Sequence, residues 1–77
     1  MSGEVVLTLW LVTWRERSRT SAWRIGEDGK YKINKPVKLS DESGEYWQVA
    51  VYAFNRMTAI FDAAEIINKE IKFANSQ

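Results

Sequence analysis

Cysteine and histidine are both missing from this 77-residue chain, and proline occurs once. Without cysteine there is neither a disulfide framework nor a thiolate metal ligand, which suits a reducing compartment. Without histidine the usual neutral-pH base and the commonest transition-metal ligand are also gone. An enzyme is therefore not expected, nor a cofactor or metal site. Asp41, Glu42 and Glu45 lie close in sequence, but among Ser40, Ser43 and Gly44 they read as a solvated turn rather than a cation site. Gly26 and Gly29 do not make a phosphate loop, because the lysine-hydroxyl ending and the following helix are absent. No apolar run approaches the roughly 20 residues needed to span a bilayer. The apolar segment after Glu4 has no basic leader and no small-residue cleavage site. These absences lead to the expectation of a soluble cytoplasmic protein with no membrane partner.

The chain is long enough for one domain only, spanning residues 1–77, and at this size roughly 60% of the unfolded surface is buried on folding. The net charge of +1 conceals a split. Residues 1–38 carry eight Lys or Arg against four acids, and residues 39–77 carry three against six. Such a dipolar distribution steers charged partners to one side, yet it falls short of the strongly basic profile of a dedicated duplex-DNA binder.

Strand-forming residues dominate from Val5 to Trp14, and both alternating faces are apolar: Val5, Leu7, Leu9 and Leu11 on one, Val6, Trp10, Val12 and Trp14 on the other. One helix covers one face only, so the other needs more chain, a second copy or a partner. If the helix covers the odd-numbered face, Trp10 and Trp14 stand open with Tyr46 and Tyr52. If it covers the even-numbered face, Leu7, Leu9 and Leu11 are left open. A self-sufficient monomer then needs the loop at 35–44 to fold over the open face. The odd set continues into Arg15, Arg17 and Arg19, which carry the strand out of the core.

Ala22 to Asn34 reads as a hairpin around Glu27-Asp28-Gly29, in a register that sets Ile25 opposite Tyr31 and Trp23 opposite Ile33. Trp23 and Trp47 are expected in the core. Asn34 to Gly44 reads as a loop with a short edge segment at Val37 to Leu39. From Glu45 to Phe54 the alternation returns, with Trp47, Val49, Val51 and Ala53 as the core side. Asn55 is a plausible N-cap, and from Met57 the period becomes helical. Met57, Ile60, Ala64, Ile67 and Ile71 form a stripe, widened by Phe61, Ala63 and Ala74. The expected fold is α+β: an antiparallel sheet of three or four strands with one C-terminal helix packed on one face.

Between Trp10 and Ile25 three tryptophans stand among four arginines. Aromatic and arginine anchors are what protein interfaces favour, so a non-enzymatic protein-binding module is the leading expectation. Its candidate contact residues are Trp10, Trp14, Arg15, Arg17, Arg19, Arg24, Tyr46 and Tyr52. The same residue types also serve nucleic acid, with arginine on phosphate and Trp or Tyr stacked on a base. Homodimerisation through the open face is a third expectation. Arginines alternating near a strand end also block unwanted edge pairing. In outline, strands bearing Arg15, Arg17, Arg19, Trp23 and Arg24 ahead of a helix at Phe61-Asp62-Ala63-Ala64 resemble the sheet-reading DNA-binding domains of plant transcription factors and the arm-binding domains of some integrases. That likeness implies DNA binding, while the acidic second half and the extra apolar first strand depart from it. By its size and lack of catalytic equipment the chain also resembles phage or mobile-element modulators that inhibit a host protein or nucleoprotein complex.

Overall fold

The computed structural model describes residues 6–15, 20–27 and 29–75. Four strands and one helix follow in chain order: β1 (Thr8–Trp14), β2 (Ser21–Arg24), β3 (Val37–Asp41), β4 (Gly44–Ala53) and α1 (Arg56–Asn75). The strands form one antiparallel sheet in the order β2-β1-β4-β3, giving the expected α+β architecture. The two longest strands, β1 and β4, occupy the centre, where both of their faces find cover.

The register sorts the side chains. Trp10 faces Val51 and Arg24, Val12 faces Val49 and Ala22, and Trp14 faces Trp47. This even-numbered face lies beneath α1, and its core joins Val12, Val49, Val51 and Ala53 to Ala59, Ala63 and Ile67. Trp10, Trp14 and Trp47 pack around that core as half-buried walls. The opposite face carries Leu9 beside Tyr52 and Leu11 between Ala50 and Trp23. A second, smaller cluster of Leu9, Leu11 and Ala50, with Ile25 against it, occupies that face. The two apolar faces of β1 are thus both used.

Asn55 starts the helix as expected. Its Oδ1 accepts the Thr58 amide at 2.8 Å, and its carbonyl accepts the Ala59 amide at 3.0 Å, which satisfies donors that a helix N-terminus leaves unpaired. Lys69 and Glu65 pair at 3.5 Å on the solvent side, and Lys72 in the last turn opposes the helix dipole. The buried stripe is rotated from the expected one. Ala59, Ala63 and Ile67 are its axis, with Ile60, Ile66 and Ile71 at the flanks, whereas Met57 and Phe61 are each 68% exposed and Ala74 is exposed. Two alanines one turn apart let the helix backbone approach the valine-rich centre of the sheet, and a phenylalanine there would hold it away.

Two further expectations are corrected. The first hairpin joins β1 to β2, with Trp23 opposite Leu11, and no hairpin joins Ile25 to Tyr31. Instead Ile25 donates its amide to Leu9 at 3.0 Å and extends the β1–β2 pairing. The chain then crosses to the far side of β4, where Ile33 bridges Ala50 and the Asn34 amide donates to the Ala50 carbonyl at 2.8 Å. The second face of β1 is therefore covered by this crossing segment, and residues 37–44 are built into the sheet. Ser40 to Gly44 forms a strand end and a two-residue turn in which Asp41 pairs with Gly44. Gly44, at φ 113°, adopts a conformation closed to L side chains, which explains the glycine at that corner. Val5 and Asp28 lie outside the described residues.

Candidate binding surface opposite the helix

The eight candidate contact residues do not share one surface. Trp10, Trp14 and Arg24 belong to the helix side of the sheet, as their pairings require. Trp10 donates its indole N–H to the Ala53 carbonyl at 3.3 Å and packs against the core. Trp14 lines a helix-side groove of about 320 Å³ with Trp47, Ile71 and Ala74. Arg15, Tyr46 and Tyr52 stand on the other face, and Arg17 and Arg19 lie outside the described residues.

Arg15 is held in place. It donates from both Nη1 and Nη2 to the two carboxylate oxygens of Asp41, at 3.3 and 2.5 Å, and its guanidinium lies 4.4 Å from the centre of the Tyr46 ring. The residue after β1 thus reaches across β4 to the end of β3. Asp41 also accepts the Ser43 amide at 2.8 Å, which tightens the β3–β4 turn. The guanidinium's hydrogen bond holds the Asp41 carboxyl below the usual carboxylate range, and the same bond raises the pKa of Arg15. Glu45 is engaged too, by Lys38 at 3.0 Å, and Lys38 lies 6.0 Å from the Trp47 ring. Two of the three carboxylates considered as a cation site are therefore salt-bridged.

The surface that stands out was not legible from the arginines. On the face opposite α1, residues 30–35 overhang the sheet and enclose a groove of about 310 Å³. Leu11, Ala50, Val37 and Tyr31 make its apolar lining, and Lys30, Lys32 and Lys35 stand around it. Trp23, opposite Leu11 on the same face, is 46% exposed rather than buried in the core as expected. Its place on the short edge strand β2 explains the exposure: among the described residues no strand lies beyond it, and α1 is on the other side. Tyr31, Ile33, Val37 and Tyr52 are also substantially exposed. At the far end, Tyr52 lines a second groove with Leu9, Gly26 and Ile33, and burial followed by the nearby Glu27 carboxylate pushes its hydroxyl pKa up. The sequence signal for this surface was the Lys30-Tyr31-Lys32-Ile33 alternation, in which one set of side chains is apolar and the other basic.

Thr13 is buried on this face, in register with Gln48 and Ser21, and its hydroxyl has no hydrogen-bond partner among the described residues. Also among the described residues, no group of three or more acidic side chains is placed to hold a metal ion, and no helix is long and apolar enough to cross a membrane. No family model matches the chain, and no curated protein or solved structure shows significant similarity to it.

Proposed function

We propose that this chain is a non-enzymatic protein-binding module whose contact surface is the sheet face opposite α1. The reading fits a modulator of the phage or mobile-element kind that inhibits a host protein by occupying it. One observation carries the proposal: an apolar groove beneath residues 30–35, with the half-exposed Trp23 on the same face, is surrounded by three lysines. An apolar floor inside a charged rim is the anatomy of a protein interface, and aromatic side chains that remain half exposed supply its anchors. The basic rim selects the partner by charge: a protein segment with an apolar anchor and acidic neighbours. Arg15 and Tyr46 extend the face towards the β3–β4 turn, with Arg15 already oriented by Asp41.

Lysines around Tyr31, on the face that also carries Trp23, favour a second reading, nucleic acid held by its phosphates and stacked on the aromatic rings. Salt separates the two. Phosphate binding weakens steeply with ionic strength through counterion release, whereas an apolar protein contact changes little. The test is capture from a lysate with and without nuclease, followed by titration of the recovered partner at two salt concentrations. A protein retained after nuclease, with an affinity that falls only modestly in high salt, supports the module. Loss on nuclease treatment and a steep salt slope transfer the face to nucleic acid.

A further inference from the structure

The two edges of the sheet are treated differently. Because Ile25 donates its amide to Leu9, the backbone groups of Ser21, Trp23 and Ile25 point towards β1, and those of Ala22 and Arg24 point outward. The outward Ala22 carbonyl is occupied by Arg56, whose Nε–H reaches it at 3.3 Å from the start of α1. An edge carrying a long cation from a neighbouring element is a guarded edge.

Among the described residues, no cation from a neighbouring element reaches the backbone of the β3 edge in this way. The Asn34 amide meets the Ala50 carbonyl, so Ala50, Gln48, Tyr46 and Gly44 face β3 and its approach. Their partners Val37, Leu39 and Asp41 face inward in return, which leaves the N–H and C=O groups of Lys38 and Ser40 pointing outward. Among the described residues no side chain hydrogen-bonds to these four groups. They form a template of one register unit, closed at its start by Pro36, which has no amide to offer.

We infer that this edge pairs with a second copy of the chain, β3 against β3 antiparallel about a two-fold axis at Leu39, joining two sheets into one of eight strands. Charge argues for a copy as the occupant. Lys38 and Asp41 are already paired within the chain, to Glu45 and Arg15, which leaves Lys35 before β3 and Glu42 after it without an ion pair among the described residues. Antiparallel pairing sets the basic end of each strand beside the acidic end of the other, twice. The axis follows from side chains. Centred on Leu39, the pairing places Leu39 against Leu39 of the copy and lets Lys38 and Ser40 exchange backbone hydrogen bonds with Ser40 and Lys38 of the copy. Centred on Lys38, it would oppose like charges. The inference goes beyond the partner proposed above, since it uses the outward backbone of Lys38 and Ser40, neither of which lines the groove beneath residues 30–35.

Sedimentation equilibrium over a concentration series tests it, together with amide exchange at Lys38 and Ser40. The expected result is a reversible dimer, with protection at these two amides rising with concentration and no matching rise at Arg24. Ser40→Pro removes an outward N–H that no bond among the described residues uses, and should give a folded monomer. Leu39→Lys and Leu39→Glu should each be monomeric and should dimerise when mixed. A wild-type chain that stays monomeric throughout overturns the inference. So does a dimer unaffected by Ser40→Pro, or amides at Lys38 and Ser40 that exchange at the same rate at every concentration.

Discussion

Arg15 grips Asp41 across the width of a strand. The guanidinium leaves the end of β1, lies over the Tyr46 ring of β4 and closes on the last residue of β3. Three strands are thereby tied at the end of the sheet that carries the β3–β4 turn. The pair is also a pH handle. Because the folded state lowers the Asp41 pKa, its contribution to stability is complete above the ordinary carboxylate range and is lost as pH falls through the lowered value. Thermal melts from neutral to strongly acidic pH should show this loss in the wild type. Asp41→Asn should melt lower at neutral pH and show a flatter acid limb. An acid limb of the same steepness in the variant would remove Asp41 from the account.

The rotated helix stripe makes an unequal pair of substitutions. Phe61→Ala trims a side chain that is 68% exposed and should change stability by no more than about 0.5 kcal/mol, the usual range for a surface site. Ala63→Leu overfills the contact between helix and sheet and should cost about 1–3 kcal/mol. Ile67→Asp places an unpaired carboxylate at a fully buried position and should unfold the domain, because desolvation costs several kcal/mol against a total of about 5–15. Glu65→Ala should do little, since an exposed pair one turn apart is worth about 0.3–0.5 kcal/mol. Denaturant titration of the four variants checks the order.

Thr13→Val should stabilise the protein. The threonine hydroxyl is buried with no partner among the described residues, and replacing it by an isosteric methyl removes a desolvated polar group at a strand position that welcomes β-branching. A gain of about 1 kcal/mol is expected from the usual cost of an unsatisfied hydroxyl. A loss of stability on denaturant titration would show that the hydroxyl is bonded in solution.

The elements with strong local signals were legible before the structure: β4 from its alternation, α1 from its period, the Asn55 cap, and the need for cover on both faces of β1. The exposed cluster was missed for physical reasons. Asp28-Gly29 carries the usual hairpin signal, yet Ile25 has a better apolar place over β1, beside Leu9 and Leu11, than opposite Tyr31. That long-range preference turns a local hairpin into a crossing segment. Trp23 and Trp47 look equivalent in sequence. Only the strand order and register put one on an edge facing solvent and the other half-buried against the core beneath α1. The arginines misled in a similar way: Arg15 is occupied by Asp41, while Lys30, Lys32 and Lys35, which the sequence did not single out, stand around the groove.

The central claim is that function resides on the sheet face opposite α1, and it is tested most directly by comparing two surface variants against the recovered partner. One combines Trp23→Ala with Lys32→Glu and Lys35→Glu; the other, on the helix side, combines Phe61→Ala with Lys72→Glu. All five side chains are exposed, so both proteins should fold, which circular dichroism checks. Isothermal titration should show affinity falling tenfold or more in the first, the loss expected when an aromatic anchor and two rim charges are removed, and unchanged within about twofold in the second. Full affinity in the folded first variant, with binding lost in the second, would place the partner on the helix and contradict the account.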